Sequence, residues 1–366
     1  MAEIDPLAAR RPEAAAAESE TRAGVSSDSP GRGDEGGVSV IVTACDDSHA
    51  LRLLLENLRT QVDSLRGEIV LAVNGPEQAL DPEARLALEK RCDQLIFEPR
   101  VGKSHALNTA IARCRGSVVA FTDDDAAPRP GWLAALVEPL LSPDRPAGRV
   151  GCGGPVVPIF PEDTPDWYRE MVLERSSHFL GPRHELGGEA RDYDSTTGSE
   201  APLGANCAYR REVFARYRYD PQLGPNRETG LRGGEDFVLA RLLLRDGYSI
   251  RYVPEAPIEH EVHRDRMTRA YVKRGHYLQG VESVRIARAL APGAEPSGRG
   301  VEARSGFSRW KPIKLIFHLV KLRLRLLRCW VASGFALPEV EGLALEARIA
   351  RCRGRLRETL RPGGRV

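Results

Sequence analysis

Long apolar runs are missing from this chain. No stretch of eighteen uncharged apolar residues occurs in its 366 positions, so no membrane-spanning helix is predicted. The opening Met1-Ala2-Glu3-Ile4-Asp5-Pro6 has neither a basic start nor an apolar core, and no secretory leader is expected from it. Cysteines are few and badly spaced for joint work. The seven stand at 45, 92, 114, 152, 207, 329 and 352 without a CxxC pair. That argues against a disulfide framework or a structural zinc, and for reduced thiols in a cytoplasmic protein. Aromatic residues make up 6% and are not interleaved with the basic ones, so no nucleic-acid partner is expected.

Several catalytic signatures are absent as well. No GxGxxG follows the first predicted strand, which speaks against a dinucleotide enzyme. Gly102-Lys103-Ser104 has the ending of a P-loop, but Phe97 stands where its first glycine is required. Lys103 is left with two readings, a phosphate contact or a solvated lysine at a helix start. His260 and His263 lie three apart rather than four, so the zinc-peptidase pattern HExxH fails on spacing. No cysteine or serine sits in a nucleophile motif.

What is present is an ordinary globular composition, 42% hydrophobic and 28% charged, enough for one large domain or two small ones. Its charge is unevenly placed. Residues 264–366 carry 23 Lys and Arg against 8 Asp and Glu, whereas residues 1–263 carry 30 against 43. An acidic body with a basic tail suggests an anionic surface as the tail's partner, or a merely solvated basic face.

Residues 1–36, rich in Ala, Glu, Ser, Gly and Pro, read as a disordered leader. Order begins at Val38-Ser39-Val40-Ile41-Val42, a buried strand, followed by a helix with Leu51, Leu54, Leu55 and Leu58 on one face. Strands follow at 68–73 and 95–97, with helices opening at Asp81-Pro82-Glu83 and at Gly102. Strand and helix alternate throughout, which predicts a parallel, doubly wound α/β sheet. A helix is expected from Trp132 to about Leu141, one broken strand over 150–158, and an irregular loop over 159–200. In that loop Trp167 and Tyr168 serve either to stack on a sugar or in a core or hinge role. Further on, Glu235-Asp236 open a helix, and a strand over 248–253 leads to His260.

At the centre lies Ser117-Val118-Val119-Ala120-Phe121-Thr122-Asp123-Asp124-Asp125. An apolar run without helical period ends in three carboxylates and the turn Ala126–Gly131. Ligands of open α/β sheets sit beyond the carboxyl ends of strands. Three adjacent like charges call for a hard divalent cation with oxygen ligands, unless they are a solvated acidic turn.

Taken in order, these segments resemble the family-2 glycosyltransferases of GT-A fold over roughly residues 38–290. The resemblance rests on Val38–Leu51, Phe121–Pro130, Gly204-Ala205-Asn206 through Arg210-Arg211 to Phe214, Gly234-Glu235-Asp236, and Gly247–His260. It implies a GT-A fold (a Rossmann-like, mostly parallel sheet flanked by helices), with a catalytic domain over 37–265 and a helical C-terminal extension over 266–360. It implies that Asp123 and Asp125, with His260 as a further ligand, hold Mg²⁺ or Mn²⁺ against the diphosphate of a nucleotide sugar. Thr43, Ala44, Asp46, Asn74, Lys103 and Asp124 would contact the nucleotide. Asp236 would be the general base, Glu235 its orienting or reserve partner, and the transfer would invert the sugar. Two positions depart from the family pattern: Val73 and His49 stand where acidic residues are common, so UDP is only the default base. The expected acceptor is a glycan, a lipid-linked sugar or a small molecule. The rivals are a nucleotidyltransferase of similar sheet, which would need a Gly-rich loop where Thr43–Asp47 stands, and an inactive sugar-nucleotide-binding membrane scaffold.

In the tail, Lys311, Lys314, Lys321, Arg325 and Arg328 fall within an arc of roughly 100° at helical spacing, with Arg323 outside it. Such a helix either lies peripherally on the anionic inner face of the membrane or packs on the enzyme with its basic stripe in water. Residues 266–280 are expected to cap the active site.

Overall fold

The computed structural model describes residues 37–173, 180–291, 310–332 and 339–361; the leader expected over 1–36 lies outside the described residues. The first half runs β1 (Val38–Ala44), α1 (His49–Ser64), β2 (Glu68–Val73), α2 (Pro82–Glu89), β3 (Gln94–Phe97), α3 (Lys103–Ile111) and β4 (Val118–Asp123). Local chemistry fixes the helix starts. The Ser48 side chain accepts the Leu51 N–H at α1, and Asp81 accepts those of Glu83 and Ala84 ahead of Pro82 at α2. Every residue of β1 is buried. Because strand side chains alternate, Val40 and Val42 join the cluster holding α1, while Ile41 joins the one holding α3. Burial on both faces is what makes β1 read as a continuous apolar run.

The chain continues through β5 (Ala126–Pro128), α4 (Trp132–Leu141), β6 (Arg149–Gly153), β7 (Val156–Ile159), α5 (Asp166–Leu173), β8 (Arg191–Asp192) and β9 (Cys207–Arg210). It then forms α6 (Glu235–Arg245), β10 (Ser249–Tyr252), β11 (Ile258–Glu261), α7 (Arg269–Ala289), α8 (Trp310–Ala332) and α9 (Glu339–Leu360). Eight strands form one sheet in the order β3-β2-β1-β4-β9-β6-β10-β8, and β5-β11-β7 form a second. This is the GT-A arrangement, a large parallel-rich sheet flanked by helices.

The structure corrects four expectations. It is not uniformly parallel: β9 enters between β4 and β6 antiparallel to both. Only β1 to β4 are joined by helices that cross the sheet, whereas β9 arrives after a long excursion whose helix α5 packs elsewhere. The strand expected over 150–158 is two strands in different sheets, parted at Gly154-Pro155, where proline supplies no N–H to a ladder. The turn after the aspartates contains β5, which pairs antiparallel with β11. The loop over 159–200 is likewise not wholly irregular, since it carries α5 and β8.

The C-terminal helices are fastened to the body. Tyr168 and Val172 of α5, Val262 beyond β11, Val272 of α7 and Leu343 of α9 share a third apolar cluster. Tyr168 is fully buried and donates its hydroxyl proton to the Leu180 carbonyl at 2.8 Å, and Trp167 packs edge-on to it. Tyr168 is therefore a core residue. Helices α7 and α9 cross backbone to backbone: a Cβ on Gly280 would collide with the Arg351 carbonyl, and one on Gly354 with that of Tyr277. Among the described residues no helix is long and apolar enough to cross a membrane.

Candidate active site

The end of β4 sets the centre of the site. Asp123 closes the strand, Asp124 and Asp125 form the turn, and β5 then pairs with β11 in a register that puts His260 opposite Ala126. The small sheet thus fixes a histidine beside carboxylates that are distant in sequence. Nε2 of His260 lies 3.2 Å from Oδ1 of Asp125 and 3.6 Å from Oδ2 of Asp123. One ligand atom from each of Asp123, Asp125 and His260 falls within 4.8 Å of the others. Two carboxylates and one imidazole suit Mn²⁺ or Mg²⁺, with the nitrogen favouring manganese.

Around this trio the charges are closely matched. Lys103 pairs with Asp123 from the start of α3, Nε2 of His263 lies 2.8 Å from Oδ2 of Asp125, and Arg266 approaches the same oxygen at 3.9 Å. Burial alone would raise the Asp123 carboxyl, but Lys103 and His260 outweigh it and hold it low. Burial likewise opposes, and His263 and His260 overcome, the shift at Asp125, which ends below the usual range. Burial works against the His260 imidazolium too, but Asp123 and Asp125 raise its pKa. At Asp124 the Lys103 charge is outweighed. Burial and its neighbours Asp125 and Asp123 push it up to about 7.

Two cavities meet at this centre. One of about 480 Å³ is lined by Thr43, Ala44, Asn74, Asp124 and the cations Arg227, Arg232 and Arg266. The other, of about 700 Å³, is lined by Glu235 and Asp236 at the start of α6 and by residues of α7 and α9. Lys103, Asp123 and Arg232 border both. Asp236 is held by two backbone donors, the N–H groups of Gly204 and Phe237, each at 2.7 Å. Glu235 is buried, one of its oxygens has no hydrogen-bond partner among the described residues, and burial with the Asp236 charge pushes it up to about 8.

Most of the residues singled out from sequence therefore meet here. Asn74 borders the first cavity but spends its side chain internally, donating to the carbonyls of Glu98 and Arg100 and accepting the Gly102 N–H. Asp46 is exposed and borders a separate depression with Asp47 and Arg52. Lys103 is not a solvated helix start. Sequence reading missed Arg227, Arg232 and the contact of His263 with Asp125. His263 betrayed itself only through its spacing from His260, and the two arginines lie in a loop with no motif.

Residues 39–218 match the sequence profile of glycosyl transferase family 2. These residues are a family-2 glycosyltransferase domain. The chain holding this domain is 28% identical over 242 residues to the pre-mycofactocin glycosyltransferase of Mycobacterium tuberculosis, covering 66% of this chain and 46% of that protein. It thus spans about half the length of that relative. It is also 28% identical over 234 residues to the glucosyl-dolichyl phosphate glucuronosyltransferase of Haloferax volcanii, covering 62% of this chain and 69% of the other. Among solved structures, the mannosyltransferase of Pyrobaculum calidifontis in complex with GDP-Man and Mn²⁺ is similar, with a TM-score of 0.50 and 20% identity. That likeness covers 87% of this chain and 86% of the other, and it shows the shared fold of this family-2 domain.

Proposed function

We propose that this protein moves a sugar from a nucleoside-diphosphate donor, UDP-linked by default, to a hydroxyl of a glycan, a lipid-linked sugar or a small molecule, with inversion. The reading is carried by one observation: Asp123, Asp125 and His260 converge where a cation-lined cavity meets a cavity holding Glu235 and Asp236. Those three residues would hold Mn²⁺ or Mg²⁺, which when bound supplies positive charge against the departing diphosphate. Lys103, Arg232 and Arg266 add fixed positive charge beside it, and Asp124 faces the ribose or phosphates. Asp236 accepts the proton of the acceptor hydroxyl as its oxygen bonds to the anomeric carbon. The bond from that carbon to the diphosphate breaks, and the electron pair leaves with the diphosphate.

The test is a thermal-shift panel of UDP, GDP, CDP, ADP and dTDP with and without Mn²⁺. A ligand that binds only the folded state raises the melting midpoint by mass action. The expected result is a manganese-dependent shift by one nucleotide that disappears in Asp125→Ala. No shift by any diphosphate, with or without metal, would sink the reading.

The same proposal extends to the membrane. Helix α8 packs on α9, where the Cys352 thiol donates to the Leu315 carbonyl; its Leu322 is buried, and Ile316, Phe317, Val320, Leu324 and Leu327 are exposed. At helical spacing this apolar row is bordered by Lys321 and Arg328 on one side and Arg323 on the other. Apolar contact flanked by basic groups is the pattern of a helix seated in an anionic interface. Phe317→Asp with Leu324→Asp should abolish co-sedimentation with phosphatidylglycerol-containing vesicles. Unchanged sedimentation of the double variant removes α8 as the contact.

A further inference from the structure

We propose that the wall of the Asp236-side cavity supplied by α9 is an oxyanion site, in which Arg351 and Arg355 take a phosphate monoester carried by the acceptor. Calling that phosphate the acceptor's rests on the transferase reading above, whereas the oxyanion site itself stands on the following contacts.

Arg351 is half-buried and lines the cavity. Its Nη2 donates to Nδ1 of His276 at 2.7 Å, while its Nε finds no acceptor among the described residues. Burial and two neighbouring cations, Arg355 and Arg348, push its pKa down. A buried guanidinium surrounded by like charge is costly unless an anion joins it. Among the described residues, helix α9 offers no acid for the purpose. Of its carboxylates, Glu346 pairs with Lys273, and Glu358 is taken by Arg285 and Arg288. Arg355 lines the same cavity, and among the described residues only its Nε is engaged, by the Ser283 hydroxyl at 3.0 Å.

The crossing of α7 and α9 at Gly280 and Gly354 fixes this pair, because Arg351 and Arg355 flank Gly354 on adjoining turns. The cavity has the carboxyl groups of Glu235 and Asp236 on the α6 side and guanidinium groups on the α9 side, while Glu282 of α7, which also lines it, accepts the Arg232 backbone N–H. A molecule offering a hydroxyl to Asp236 and a phosphate to α9 matches that polarity. Planar guanidinium groups bind tetrahedral oxyanions through paired N–H donors.

The full-length protein would be titrated calorimetrically, in EDTA so that the aspartate trio recruits no metal, with inorganic phosphate, glycerol 3-phosphate and decyl phosphate. Arg351→Gln should weaken phosphate binding roughly tenfold or more, and the exposed Arg355→Gln by a smaller factor, with partial recovery in Arg351→Lys. The manganese-dependent nucleotide shift should survive in all three variants. A preference for glycerol 3-phosphate would identify a soluble acceptor and a preference for decyl phosphate a lipid one, and either supports the site. Equal phosphate affinity in wild type and in both Gln variants, or no phosphate binding to the wild type, overturns it. Phosphate binding that persists where no nucleotide shifts the protein overturns the transferase reading alone.

Discussion

Glu235 and Asp236 are neighbours with unequal duties. Two backbone N–H groups aim Asp236 into the cavity, whereas Glu235 is buried with an oxygen unpartnered among the described residues and holds its proton up to about 8. Asp236→Asn should lower transfer by roughly 10²–10⁴-fold, as loss of a general base does, and keep the manganese-dependent nucleotide shift. Loss of both together would mean that Asp236 is structural. Glu235 makes a different prediction. Its folded pKa is raised, so its contribution to stability is complete below the usual glutamate range and is lost as pH rises toward about 8. The melting midpoint of the metal-free protein should therefore fall between about pH 5 and pH 8, and Glu235→Gln should flatten that slope. A wild-type profile as flat as the variant's would refute the assignment.

Among elements, the α7–α9 crossing is the joint most sensitive to a single atom. Gly354→Ala places a methyl group against the Tyr277 carbonyl and should cost on the order of 1–3 kcal/mol, read as a lowered melting midpoint. An unchanged midpoint would show that the helices separate freely. Elements also show what the sequence made visible. The strands β1 to β4 could be read because each is a short apolar run followed by a periodic helix, and the carboxyl end of β4 announced its own aspartates. The direction of β9 could not be read. Cys207–Arg210 has the composition of any buried strand, and its reversal comes from the path of the chain rather than from its residues. Lys103 was ambiguous for a related reason: a lysine at a helix start is ordinary, and only the packing of α3 against β1 and β2 brings it to Asp123.

For the molecule as a whole, the acidic body and basic tail noted from composition acquire a place in space. The body's carboxylates include the site itself, and the tail's cations include Arg266 at the first cavity, two on α9 that line the second, and those on α8 that border an exposed apolar row. Attachment through α8 should accordingly weaken but not vanish as salt rises, since screening removes the charge attraction and leaves the apolar contact. Complete release at moderate salt would leave the apolar row without a role. The arrangement of Arg351 and Arg355 had no sequence signal at all, because it depends on two helices meeting at glycines that are far apart in the chain.

The pairing of Asp125 with His263 across 138 positions also bears on how the molecule comes into being. During synthesis the ladder from β1 to β4 is complete while β11 has still to be made, so the aspartates at its end exist for a time without their histidines. Contacts so distant in sequence close late, because the intervening chain must first be gathered in. Lys103, already present in the early half, is the one partner that Asp123 has from the outset. On the proposed reading, a nascent chain arrested just past β4 would carry two of the three cation ligands and lack the third until the last strand is made.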